Sequence, residues 1–311
     1  MYKLLDWIDQ KQLIWSKLSK NPKAIYFLEK NPKKINWIEL SENPEAVHLL
    51  EKNPDKINWT CLSKNTNPDA IRLLSQNLDK ICWSLLSANP GAIPLLEQNP
   101  DKIHWTQLSG NPKAIHLLEQ NPDKIDWVQL SGNPQAVHLL ELHPHNIRWT
   151  RLSRNPGAIR LLTQHLEKIN WIHLSENPGA ISLLKQYPEK IYWPWISGNP
   201  GAIQILEQNI DKINWTELSG NPVAIYLLNQ DLDKINWHLL SGNSEAIHLL
   251  HQYYPDKIIW NELSRNPAIF TLDYVWLENR MNIIKEELLA VALHPDRIQS
   301  WLEQGMDIED L

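Results

Sequence analysis

Twelve histidines, a regular series of lysines and sixteen tryptophans are the residues of this 311-residue chain whose types could do chemistry. His138, His143 and His145 raise a metal site, but zinc needs its ligands about 2.0–2.1 Å from one point. Their spacing matches no recognised ligand pattern, so no metal is expected. The lysines 34, 56, 80, 102, 124, 168, 190, 212, 234 and 257 recur at one position, a ladder that could track phosphates. All but Lys34 directly follow Asp or Glu, which removes most of their field. With 30 Lys and Arg against 36 Asp and Glu and a net charge of −6, nucleic acid is disfavoured as a partner and solvated stripes are expected. Exposed tryptophans could stack on single-stranded bases. The ten glycines sit mostly in Ser-Gly-Asn turns or just after Asn-Pro, at helix ends and starts, and form no phosphate-binding loop. No nucleophile is recognisably paired with a base. A non-enzymatic chain with no cofactor and no small-molecule substrate is the expectation.

What must position these residues is a repeat. Twelve tryptophans fall at 15, 37, 59, 83, 105, 127, 149, 171, 193, 215, 237 and 260, a 22-residue period with small insertions at Thr66-Asn67 and near Tyr253-Tyr254-Pro255. Such a period means a solenoid or array and overrides any domain count drawn from length. In the second half of a unit, Pro112 to Glu119 places its apolar residues on one helical face, with Asn111 as N-cap and Pro112 at the first helical position. In the first half, Trp105 and Leu108 share a face while Ile103 does not, so the chain breaks before Trp. Asn36, Asn58, Asp126, Asn170, Asn214 and Asn236 occupy that break and suit a second N-cap. Glu39, Gln129 and Glu217 complete capping boxes there.

The units compare with one another within the chain. Ala24 and its eleven equivalents to Ala268 fill one column without exception, as where two helices touch closely. With Trp, Ile, Ala and two Leu per copy, each unit buries its stripe only against its neighbours. The repeating Trp is therefore expected in the core. One column varies: Tyr26, His48, Arg72, Pro94, His116, His138, Arg160, Ser182, Gln204, Tyr226 and His248. It faces away from the apolar stripe. His48, Arg72, His116, His138, Arg160, Gln204, Tyr226 and His248 form a candidate surface for a protein partner, and drift on a solvated face is the other reading.

The fold expected is all-α: an α-solenoid of about twelve 22-residue, two-short-helix repeats with capping helices at both ends. Residues 1–14 read as an N-terminal capping helix carrying Leu4, Leu5 and Ile8, residues 15–269 as the solenoid, and 270–311 as a C-terminal helical cap. Asp6 and Asp9 interrupt any apolar stretch of signal-peptide length, and no run approaches the ~18 residues of a membrane span, so an intracellular chain off the membrane is expected. Cys61 and Cys82 replace different residues of the pattern, as reduced structural thiols would.

The units Asn-Pro-x-Ala-Ile-x-Leu-Leu-Glu-x-Asn-Pro-Asp-Lys-Ile-x-Trp-x-x-Leu-Ser, with the tail from Lys285 through His294-Pro295-Asp296-Arg297-Ile298 to Trp301-Leu302-Glu303-Gln304-Gly305, resemble repeat proteins encoded by giant DNA viruses of amoebae and algae. The short alternating helices are also similar to leucine-rich-variant repeats. The resemblance implies a host-cytoplasmic or virion location and carries over no activity and no functional residues. Macromolecular recognition as a scaffold or adaptor for a protein partner is the function expected from the architecture. Nucleic-acid binding through the Lys column and a structural role in a virus particle are the alternatives.

Overall fold

A computed structural model describes residues 1–253 and 256–303. Part of the insertion near Tyr253-Tyr254-Pro255, and Gln304 and Gly305 of the tail, lie outside the described residues.

Each repeat is built as its pattern dictates. A 3-10 turn such as Pro100–Lys102 leads through an extended Ile103 into a first helix, Trp105–Ser109, and a turn then leads to a second helix, Ile115–Gln120. All six residues read as second N-caps accept a backbone N–H two or three residues on, as in Asn36 from Glu39 and Asp126 from Gln129. The capping box does not close in the expected way. The backbone N–H of Asn36, Asp126 and Asn214 goes instead to the hydroxyl of a serine one repeat earlier, Ser19, Ser109 and Ser197. The Glu or Gln at the third position is thereby left without that donor.

Fully buried polar residues join the repeats. Asn133 donates its side-chain amide to the carbonyls of Ser109 and Asn111, both at 3.1 Å, while its Oδ1 accepts from the N–H of Gln135. Ser109 donates to the carbonyl of Trp105 and accepts from Asp126 of the next repeat. The same Asn and Ser recur in all twelve units and are buried in every one. An unsatisfied buried amide costs about 1–3 kcal/mol. Here each donor and acceptor is used, so burial fixes the register of one unit on the next. Around this ladder lie the core columns: the first-helix Leu, the last Leu of the second helix, and eleven of the twelve Ala, all without accessible surface. Ala268 is partly exposed because its unit is one residue short: its N–H goes to Asn266 Oδ1, as that of Lys23 goes to Asn21, and Ile269 fills the buried site.

The solenoid closes on itself. Ile14 donates its N–H to the hydroxyl of Ser264, and the amide of Asn21 donates to the carbonyl of Asn266. These are two of the three bonds that join neighbouring units elsewhere in the stack. The expected N-terminal capping helix is absent: residues 2–4 form strand β1 (Tyr2–Leu4), followed by turns up to Trp15. β1 pairs antiparallel with β2 (Phe270–Leu272), Tyr2 opposite Leu272 and Leu4 opposite Phe270, where the last unit would otherwise form its second helix. The twelfth unit is thus shared between the two ends of the chain. On the C-terminal side, residues 270–272 of the expected helical cap form β2, and two helices follow, Tyr274–Ala292 and Pro295–Glu303.

Successive first helices pack directly on one another, whereas successive second helices stand farther apart. In a closed ring the tightly packed layer is the inner one. Twelve helices spaced about 8–10 Å apart form a circle about 30–38 Å across, which after subtracting one helix diameter of about 10–12 Å leaves an opening about 20–26 Å wide. The accessible surface of 17283 Å² exceeds the about 13,400 Å² of a compact chain of this mass, as an open centre and a projecting tail require.

Candidate functional site

The variable column lies exposed on the outer layer of second helices, and most of it is already engaged. His48 reaches Glu29 of the preceding repeat at 3.1 Å, His116 reaches Glu97 at 2.7 Å and His138 reaches Glu119 at 2.8 Å. Arg72 pairs with Glu51 at 2.6 Å, Arg160 with Glu141 at 2.5 Å, and Tyr226 with Glu207. The hydrogen bond to Glu51 raises the Arg72 pKa, and that to Glu207 raises the Tyr226 pKa. Gln204 keeps the pattern with reversed polarity, accepting from Lys185 at 2.9 Å. Where the facing column offers Ser75 or Thr163, each hydroxyl is turned to a carbonyl of its own helix, and the variable column holds Pro94 or Ser182. His248 makes no such pair among the described residues. The column therefore varies in step with its neighbour one repeat back.

The Trp column is half-buried rather than sealed in the core. Lysines of the next repeat lie over five of these rings: Lys34 over Trp15, Lys80 over Trp59, Lys124 over Trp105, Lys212 over Trp193 and Lys234 over Trp215, at 4.5–5.0 Å. In four other units an aromatic ring at the following turn packs on the Trp instead: His143, His165, Tyr187 and Tyr253. A lysine over an exposed ring contributes about 0.5–1 kcal/mol. Trp and Lys columns, which the sequence presents as separate, form one inter-repeat contact.

His138, His143 and His145 diverge. The first faces Glu119, the second packs on Trp127, and the third is exposed in its turn. Among the described residues no three His, Cys, Asp or Glu side chains are placed to hold a metal ion. Cys61 and Cys82 are free and half-buried, and burial raises the thiol pKa of Cys61.

The inner rim carries a column that sequence reasoning passed over. The residue after each repeating Trp lies opposite the buried Leu of the first helix and so faces the opening. It is Ser16, Ile38, Thr60, Ser84, Thr106, Val128, Thr150, Ile172, Pro194, Thr216, His238 and Asn261. Not one of the twelve is Asp, Glu, Lys or Arg, although the chain is 21% charged. Ile38 is 55% exposed, Val128 40% and Ile172 46%, beside the exposed Ile14, Tyr192 and Ile259 at the helix starts. The signal was legible as a solvent-facing repeat position that never takes a charge.

One sector of the rim is distinct. His173 stacks on Trp195 at 4.9 Å, Arg154 lies 5.0 Å over the same indole, and Tyr192 meets its edge at 5.8 Å. Arg154 also pairs with Glu176 at 2.9 Å. Burial, and secondarily the Arg154 charge, lower the His173 pKa, and its buried Nδ1 has no hydrogen-bond partner. Among the described residues no helix is long and apolar enough to cross a membrane. Comparison of the chain with protein-family models, with characterised proteins and with solved structures found no match.

Proposed function

We propose that the chain is a non-enzymatic ring scaffold that recognises a segment of another protein through its inner rim, within the giant-virus repeat proteins it resembles and hence in host cytoplasm or virion. The observation that carries this is the uncharged inner column with Ile38, Val128 and Ile172 exposed on it. A water-facing column without Asp, Glu, Lys or Arg suits contact with apolar and hydrogen-bonding groups of a polypeptide, and the charges one turn along the same face, Lys20, Glu42, Lys64, Arg154 and Glu176, are largely paired with one another. An opening of about 20–26 Å admits a helix about 10–12 Å wide with room to spare. The Lys column supports nucleic-acid binding less well, because five of its amines lie over indole rings.

Affinity capture from infected cells with two variants tests the proposal. Ile38→Asp/Val128→Asp/Ile172→Asp is expected to lose the captured protein while keeping the wild-type melting curve. His116→Ala/His138→Ala/Arg160→Ala, on the outer face, is expected to keep it. The opposite pattern moves recognition to the outer column, and salt-sensitive capture of nucleic acid in place of protein overturns the reading.

A further inference from the structure

Beyond the ring, Tyr274–Ala292 forms one helix of 19 residues, with Asp273 accepting from the N–H of Trp276 as N-cap. Trp276 and Leu277 are half-buried, and every residue from Glu278 to Val291 is exposed. A lone helix in water is ordinarily polar on its open side. This one exposes Met281 by 69%, Leu288 by 63% and Val291 by 62%. Tyr274, Leu277, Met281, Ile284, Leu288 and Val291 follow one another at alternating steps of three and four, the a and d positions of a heptad seam.

We propose that this helix pairs with the same helix of a second copy of the chain, antiparallel, through that seam. The flanking charges choose the occupant and its direction. Set antiparallel, Met281 lies opposite Ile284, Leu277 opposite Leu288 and Tyr274 opposite Val291 of the second copy. Glu278 then meets Lys285 of the second copy and Arg280 meets Glu287, and the two-fold axis repeats both, giving four attractive pairs. Set parallel, the pairs become Asp273 with Glu278 and Arg280 with Lys285, all of like charge. The seam spans under three heptads, so the pair dissociates on dilution.

The test is the molar mass of the full chain by sedimentation over a dilution series. The expected result is a species of twice the 36.3 kDa chain mass that falls to monomer on dilution. Met281→Glu/Leu288→Glu is expected to stay monomeric at every concentration with the thermal melt of the ring unchanged. Arg280→Glu sets a second carboxylate against Glu287 of the second copy and is expected to weaken the dimer by about tenfold. Arg280→Glu/Glu287→Arg is expected to restore it. A chain that stays monomeric throughout, self-association untouched by the Met281/Leu288 variant, or a dimer tightened by Arg280→Glu, as a parallel pair requires, overturns the proposal.

Discussion

The side-chain amide of Asn21 donates to the backbone carbonyl of Asn266 at 3.2 Å, across 245 positions of sequence. Within the stack the equivalent bond spans 22 positions, as from Asn133 to Asn111. The first and last units are therefore joined by the same kind of bond as two units in the middle, although their first helices pack less closely than most successive pairs.

Asn→Asp separates the two tasks of this residue, because Asp caps as well as Asn but has no donor and places a charge against two carbonyls. Asn133→Asp is expected to lower the melting temperature well beyond Asn133→Ala, the buried unpaired charge costing on the order of 3–5 kcal/mol. Asn21→Asp is expected to act in the same direction. In an open stack Asn21 would face water, and Asn21→Asp would be close to neutral; a thermal melt of the three variants decides.

The lysine over each indole is a separate source of cohesion. Lys124→Ala is expected to cost about 0.5–1 kcal/mol and Lys124→Arg to be neutral, since guanidinium also stacks on Trp. Denaturant midpoints measured for both check this, and equal losses would assign the effect to the aliphatic stem or to Asp123 instead.

His173 makes stability depend on pH. Its pKa is lowered in the folded chain, so the unfolded chain takes the proton first. Its contribution is then complete above the ordinary imidazole value of about 6.5 and is lost as the pH falls below it. His173→Phe retains a ring against Trp195 and removes the unpartnered Nδ1. It is expected to show a shallower fall in melting temperature between about pH 7 and pH 5 than the unaltered chain. Equal slopes would place the acid sensitivity elsewhere.

On the outer face, Arg160 and Glu141 are predicted to be coupled. Each single charge reversal is expected to cost about 0.2–1 kcal/mol, and the double reversal to recover it, with the coupling shrinking at high salt. A double-mutant cycle at two salt concentrations measures this directly.

Much of the architecture was legible because it is written twelve times. The Ala column read as close helix contact is buried in eleven of its twelve copies, and the six predicted N-caps all cap. Closure was not legible. It depends on a small rotation per repeat summed over twelve, which no single unit displays. The absence of a helix over residues 1–14 has the same origin: Leu4, Leu5 and Ile8 have helical spacing, but Tyr2 to Leu4 find strand partners at Phe270 to Leu272. The Asn column did carry a signal. A simple cap accepts Ser, Thr or Asp equally well, and twelve asparagines in twelve copies require a donor as well as an acceptor. For the variable column, the missing step was to compare each residue with the one facing it a repeat earlier, as Lys185 with Gln204 shows.

Because the stack ends by meeting its own beginning, no unit is left as a growing tip. An open array whose two faces match would add chain to chain into a fibre of indefinite length. Here the curvature of the units and the strand borrowed from the other terminus cap the assembly at one turn, so the number of repeats in the ring is set within a single molecule and does not vary with concentration.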